Sequence, residues 1–512
     1  MKNSNLSIFH TLFKLFFLGY LAILPMSHSI ALRNLLLLVL AVSVLLYAGI
    51  KRNQLELSLL HGPRQVPIVV LVWIFFLFLF PLWAVQTDVA WLNLRGQWIQ
   101  SILAWVVGFG AVLILGKRGP GLWALALASA FPLAVHLLLY IAAWGGILTG
   151  NFYADPSIAS VWAAFSRALN SDATMIWNWQ SIPIGFLGIE PMHGNLGYAA
   201  CQAIILISAY FCVAWHDENK YRLWGASLFI ILCFLSLFIA QSRGAILFGL
   251  IMLLTTAVIY FYKCSASSTI KTSKQEKNKW PILKIGAIAA IGLLLIAAFQ
   301  SIRHQERWYS MADKVEIGLL SEKPLSLLCN GVSSQVEEQI RERFVGHDPA
   351  YVQVLLNSLK GQDGGRILLM RAGIDLVLEN PRGLDGSMHS YQKLIKEKCG
   401  HEPTLYFSHA HQGWIDLALA LGWVGALLFA WMIIYFLRIG LFNMKILVTR
   451  PWAIALFLIS TFWMLRGFVD EVYREHYLQM QSLMLAYLFG RLLLESTLDK
   501  VNSITKVRQI DG

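Results

Sequence analysis

Residues 408–438 read SHAHQGWIDLALALGWVGALLFAWMIIYFLR. Past Trp414 the stretch is almost wholly apolar and long enough to cross the roughly 30 Å hydrocarbon layer of a bilayer as a helix. Before it stands a polar segment of about a hundred residues, and His411 lies at the junction. An ionisable side chain at a membrane boundary is costly unless it has a task.

Apolar runs of this kind recur along all 512 residues. The chain is 57% hydrophobic and 14% charged, against about 25% charged in an ordinary soluble domain. The runs approach span length and have no polar face, which excludes a soluble protein of buried helices. The composition predicts an all-α polytopic membrane protein of about twelve spans. These lie near 10–28, 31–50, 66–85, 98–116, 121–144, 195–215, 223–241, 244–262, 281–300, 411–438, 451–469 and 477–495. The first run lacks a small-x-small cleavage site and a second span follows at once, so it reads as a retained helix.

A net charge of +12 could suggest nucleic acid, but its distribution does not. The basic residues punctuate the gaps between apolar runs, the positive-inside signature. With the N-terminus in the cytoplasm, Lys51, Arg52, Arg64, Lys117, Arg118, Lys220, Arg222, the lysines of 263–279, Arg438, Lys445, Arg450 and the basic tail 496–512 fall inside. Only Arg33, Arg95, Arg243 and Arg474 fall in short outside turns. Both termini are therefore expected in the cytoplasm.

This organisation divides the chain into spans at 1–300, an outside loop domain at 301–410, spans at 411–495 and the tail. A second outside loop is expected at about 145–194. Within the large loop, Ser334–Phe344 reads as a charged amphipathic helix. Arg366–Glu379 has helical apolar spacing and stops before Asn380-Pro381. Gly361-Gln362-Asp363-Gly364-Gly365 reads as a turn ahead of Arg366. Of six cysteines, Cys329 and Cys399 alone lie in the large loop. If that side is an oxidising compartment they are expected to pair.

Three side chains could carry chemistry. Arg243, in Gln241-Ser242-Arg243-Gly244, sits at an outer turn, and its planar guanidinium suits phosphate oxygens. Gly244 opens a helix whose first amides also favour an anion. Arg366 could reach the same place. Two such arginines suggest a lipid-linked phosphate or pyrophosphate, although an arginine at a helix end also snorkels to head groups. His411, at the positive end of a helix, would tend to stay neutral and serve as a general base, or be an interfacial histidine bonded to backbone. His409 is the weaker candidate. Arg466, Asp470, Glu471, Arg474, Glu475 and His476 read as a solvated turn, with an ion-pair network lining the site as the alternative. No Asp-x-Asp occurs, and no metal or cofactor is expected.

These motifs, in this order, resemble the O-antigen ligase and O-antigen polymerase superfamily. The matches are Ser242-Arg243-Gly244-Ala245, then Gly365-Arg366 followed by Glu379-Asn380-Pro381-Arg382-Gly383-Leu384-Asp385-Gly386. The last is His411-Gln412, nine residues, Gly422, two residues and Gly425. Pro191-Met192-His193-Gly194-Asn195 is a looser match and brings in Asn195. The resemblance implies a metal-independent, inverting glycosyltransferase in the bacterial inner membrane with its site facing the periplasm. The donor would be a glycan on undecaprenyl pyrophosphate, held by Arg243 and Arg366. His411 would activate a hydroxyl of the lipid A core, in lipopolysaccharide biosynthesis. A protein Ser/Thr acceptor, as in an O-oligosaccharyltransferase, or a growing glycan, as in a polymerase, would use the same donor. A polysaccharide flippase or exporter is the non-enzymatic alternative. It expects repeats and unusual residues at mid-membrane depth, whereas those here gather at the outer surface.

Overall fold

The computed structural model describes residues 2–50, 66–148, 151–170, 185–190, 193–216, 220–259, 310–320, 323–360, 363–405, 407–471, 473 and 475–510. The expected span 281–300, Cys264 and Arg474 lie outside the described residues. The described elements are helices, with no strand among them.

The N-terminal part contains α1 (Lys2–Ile23), α2 (Ile30–Ile50), α3 (Ile68–Leu79), α4 (Thr87–Asn93), α5 (Ile99–Leu115), α6 (Leu122–Ser129) and α7 (Phe131–Trp144). Then come α8 (Asn151–Ala154), α9 (Ile158–Asn170), α10 (His193–His216), α11 (Lys220–Ile239) and α12 (Arg243–Ile259). The polar segment supplies α13 (Met311–Leu320), α14 (Pro324–Asn330), α15 (Ser334–Arg343), α16 (Pro349–Ser358), α17 (Asp363–Glu379) and α18 (Ser390–Cys399). Three helices close the chain: α19 (Gly413–Asn443), α20 (Arg450–Arg466) and α21 (Glu475–Ile510).

Among the described residues five helices are long and apolar enough to cross a membrane, or six if the bent pair α6–α7 is one span. That is fewer than the twelve expected. Three more apolar helices, Ser7–Ile23, Ile68–Leu82 and Arg243–Ile259, are shorter. The 46° bend between α6 and α7 falls where Pro132 has no N–H to donate into the preceding turn. Helix α20 has 17 residues and is bounded by Arg450 and Arg466, so it too falls short of span length. Helix α21 falls outside the apolar set for a different reason: it is enclosed by other helices and buries Gln479, Gln481 and Ser482. A helix without a lipid-facing side can carry polar residues toward the bundle interior. By contrast α2 leaves Leu32, Leu35, Leu38 and Leu45 exposed, a face that requires an apolar solvent.

The bundle centres on α21, which packs along α5, and on α20, which packs on α19 and α10. Glycines set the closest approaches. A Cβ on Gly108 would lie 2.6 Å from the Ala486 methyl of α21, and one on Gly440 2.7 Å from the Phe457 backbone nitrogen of α20. Close backbone contact of this kind supplies helix packing where the hydrophobic effect is weak.

Residues 310–405 build two cores of their own. One joins Ile317, Ile340, Phe344, Val352, Leu355 and Leu359. The other unites Leu328, Leu368, Leu369, Leu376 and Tyr391 with Ala410, Ile415 and Leu419, so this segment shares a core with the head of α19. A disulfide joins Cys329 at the end of α14 to Cys399 at the end of α18, with Cα atoms 5.2 Å apart. The expected amphipathic helix is α15, capped by Ser333, whose hydroxyl accepts from the Val336 amide. The helix expected from Arg366 starts earlier, at Asp363, so Gly364 and Gly365 belong to its first turn rather than to a free turn. Their reason is proximity: a Cβ on Gly365 would lie 2.7 Å from the Leu359 carbonyl.

Candidate active site at the head of helix α19

Helix α19 does not begin at His411. Gln412 is its cap, with Oε1 accepting from the Ile415 amide at 2.5 Å, and Gly413 is the first helical residue. His411 stands one position before the cap with φ of 53°, in the left-handed region. Few non-glycine residues adopt it, histidine more readily than most, and it costs on the order of 1 kcal/mol. Ala410 is pinned beneath it by its amide, which donates to the buried Asp416 carboxylate at 2.9 Å. Such a conformation persists only where its surroundings over-determine it.

The two histidines meet directly. Nε2 of His409 lies 3.1 Å from Nδ1 of His411. On its other side, Nδ1 of His409 is 2.7 Å from the Ser408 hydroxyl and 3.2 Å from Oε2 of Glu471, whose side chain is 3% exposed. Glu471 belongs to the turn between α20 and α21. That turn is held against α19 by the Asp470 carbonyl, which accepts from the Gly413 amide at 3.0 Å. The Trp414 indole also donates to the Met464 carbonyl at 3.2 Å.

For Arg466, Asp470 and Glu471 this corrects the reading as a solvated turn. The Arg466 side chain is 11% exposed, and its Nη2 pairs with Asp470 at 2.7 Å. It also lies 5.2 Å from the ring centres of Tyr198 and Phe248, a cation–π arrangement. Arg466 and Glu471 are withdrawn from solvent because the backbone closes onto α19 and the arginine finds both a carboxylate and two ring faces, while Phe468 and Val469 stay exposed.

Arg243 is the first residue of α12 and is half-buried, following Gln241 at φ of 52°. Its neighbour Gly244 receives Arg466: a Cβ there would lie 2.6 Å from Nη1 of Arg466. A continuous chain of contacts therefore runs from the Arg243-Gly244 step through Arg466, Asp470, Glu471 and His409 to His411. Arg366, on α17, is exposed. It sits seven residues before Gly373, hence on nearly the same helical face and about 10 Å along the axis. A Cβ on Gly373 would meet Ile415 and Ala410, so this face is the one turned to the His411 segment.

Asn195 is buried, and its four hydrogen-bonding positions are filled. Its amide donates to Glu190 at 2.8 Å and Ser27 at 3.2 Å, and its carbonyl accepts from Tyr477 and lies 3.1 Å from Nε2 of His476. An asparagine has no capacity beyond these four, so Asn195 ties α10 to the start of α21.

The glycine spacing after His411 also acquires a reason. Gly422 has φ of 75° and breaks α19. Residues 381–386 fill the break: the Leu384 and Gly386 amides donate to the carbonyls of Leu419 and Ala420 at 2.8 and 2.9 Å, and Trp423 donates to Pro381 at 3.1 Å. On its far side this stretch is gripped by Trp98, whose indole donates to the Gly386 carbonyl at 2.9 Å.

Residues 228–430 match the family model described as Wzy_C, O-Antigen ligase. This match supports a relation to the O-antigen ligase and polymerase superfamily over that stretch of the chain. Among curated proteins it has no match. That family is one of glycosyltransferase-like membrane enzymes, and the apolar helices of this chain make it a multi-pass membrane protein. The matched region carries Arg243, Arg366, His411 and the 381–386/Gly422 lock. It ends before Arg466, Asp470 and Glu471, which the fold brings to the same place from α20 and the turn that follows it.

His409, His411 and Asp470 offer donor atoms within 4.8 Å of one another, a spacing that a divalent cation could bridge. The charge arrangement around these three residues is unfavourable for that. Asp470 already carries the permanently charged Arg466 guanidinium, which repels a cation from the same carboxylate. Sequence reasoning missed Tyr198 and underrated Glu471. Neither has a motif, and their partners are remote in the chain.

Proposed function

We propose that the chain is an O-antigen ligase: an inverting glycosyltransferase that moves a glycan from undecaprenyl pyrophosphate to a hydroxyl of the lipid A core oligosaccharide. The observation that carries this reading is His411, held in a left-handed conformation and hydrogen-bonded to His409 at the junction of the 310–405 segment and α19. A histidine so placed can present one ring nitrogen as a base.

In the proposed reaction the acceptor oxygen attacks the anomeric carbon of the donor sugar. His411 takes the hydroxyl proton, the carbon–oxygen bond to pyrophosphate breaks, and undecaprenyl pyrophosphate leaves with the electron pair. Inversion follows from attack on the face opposite the leaving group. Arg243 and Arg366 would bind the pyrophosphate and neutralise its growing charge, a role that bidentate guanidinium groups fill well. No metal step is needed where guanidinium groups meet that charge. The proposed setting is the bacterial inner membrane, with about twelve spans, both termini cytoplasmic and the site facing the periplasm. The Cys329–Cys399 disulfide supports an oxidising compartment on that side.

The test is a deletion strain complemented with His411→Ala, Arg243→Ala or Arg366→Ala. The expected result is lipopolysaccharide without its long glycan, with lipid-linked glycan accumulating. Loss of general-base catalysis alone should slow transfer by about 10²–10⁴-fold. Full activity of His411→Ala would rule out the base role. Normal lipopolysaccharide in the deletion strain would shift the acceptor to protein or to growing glycan.

A further inference from the structure

The carboxylate behind the histidine pair deepens this assignment. We propose that Glu471 is a positioning residue that sets the tautomers of His409 and His411, so that Nε2 of His411 is the basic atom. The proposal rests on reading His411 as the general base.

The logic follows the hydrogen-bond roles. A carboxylate can only accept, so Oε2 of Glu471, 3.2 Å from Nδ1 of His409, favours a proton on that nitrogen. The Ser408 hydroxyl at 2.7 Å can accept the same proton and fits this arrangement. A neutral imidazole carries one N–H, so Nε2 of His409 then has a lone pair. It lies 3.1 Å from Nδ1 of His411, which must supply the hydrogen. His411 is thereby protonated on Nδ1 and keeps its lone pair on Nε2.

Charge points the same way. When His411 takes the acceptor's proton it becomes a cation, and the nearly fully buried Glu471 carboxylate is placed to compensate through His409. Asp470 also lies within 4.8 Å of both histidines, but its charge is already shared with Arg466 at 2.7 Å and the Tyr198 hydroxyl at 3.3 Å, whereas Glu471 contacts His409 directly. In the proposed relay no proton passes to Glu471.

The decisive measurement needs no mutant beyond those used for assignment. Full-length protein labelled with ¹⁵N- and ¹³C-histidine, in lipid bilayers, is studied by solid-state NMR, with signals assigned by their loss in His409→Gln and His411→Gln. Both rings are expected to be protonated on Nδ1, and a His411 protonated on Nε2 would overturn the proposal. Kinetics give a second reading, with donor and acceptor taken from membranes of the deletion strain. The side-chain amide introduced by Glu471→Gln can donate to Nδ1 of His409 and reverse the relay, so this variant is expected to lower kcat by about 10²-fold. Donor KM should stay within about twofold, because ground-state binding is untouched. Glu471→Asp, which restores an acceptor-only group, should recover both the Nδ1 signals and most of the rate. A wild-type rate for Glu471→Gln, or a loss confined to KM with tautomers unchanged, rejects the positioning role and leaves the base assignment standing. Full activity of His411→Ala rejects the base assignment itself.

Discussion

His411 and Arg466 represent two ways in which a single residue is held at one end of this bundle. His411 is fixed by backbone: its left-handed φ lies between an amide bonded to Asp416 and the Gln412 cap. Arg466 is fixed by charge, between Asp470, the Tyr198 and Phe248 rings and the bare backbone of Gly244. Arg466→Ala would leave Asp470 uncompensated beside Tyr198. Since Asp470 keeps 31% of its side-chain exposure, solvent screens part of the penalty. The expected loss is about 2 kcal/mol, below the range for a fully buried pair. A melting temperature in detergent unchanged by Arg466→Ala would contradict this. Arg466→Lys should rescue little, because an ammonium cannot bond Asp470 and Tyr198 together while lying on Gly244.

At the scale of elements, the break in α19 is the feature on which the site depends. The helix from Gly413 carries Asp416 and follows the Gln412 cap, and its carbonyls at Leu419 and Ala420 would be orphaned at Gly422 without the 381–386 segment. Gly383 and Gly422 meet backbone to backbone: a Cβ on Gly383 would lie 2.6 Å from the Leu421 carbonyl carbon, and one on Gly422 2.6 Å from that of Arg382. Gly422→Ala combines a strained φ with overpacking, and is expected to cost about 2–4 kcal/mol. Gly425→Ala meets chiefly the Phe76 ring and the Leu421 Cβ, and incurs only the overpacking part, about 1–3 kcal/mol. Thermal unfolding that ranks Gly425→Ala as the more damaging change would refute the backbone-lock account.

Across the whole molecule, the 310–405 segment is not an appendage. It shares a core with the head of α19 and is closed on itself by the Cys329–Cys399 bond across a sequence separation of 70. In the chain-entropy model that closure contributes about 4 kcal/mol. Cys329→Ser with Cys399→Ser should therefore speed proteolysis of the segment between α14 and α18 well before the apolar bundle is cut. Identical cleavage kinetics with and without the bond would show that the shared core alone holds the segment.

Sequence by itself determined what depends on composition and near neighbours. Long apolar runs demand a membrane, Ser333 caps α15, and Asn380-Pro381 ends α17, because each of these is decided within a turn or two of chain. The motif residues Arg243, Arg366 and His411 were legible as types and spacings. Tertiary structure decided which groups face one another. The Glu471–His409 contact spans 62 positions, and Arg466 reaches Gly244 across more than two hundred, distances at which no local pattern survives. It also decided which helices are wrapped by protein rather than lipid: burial among other helices permits Gln479, Gln481 and Ser482 in α21.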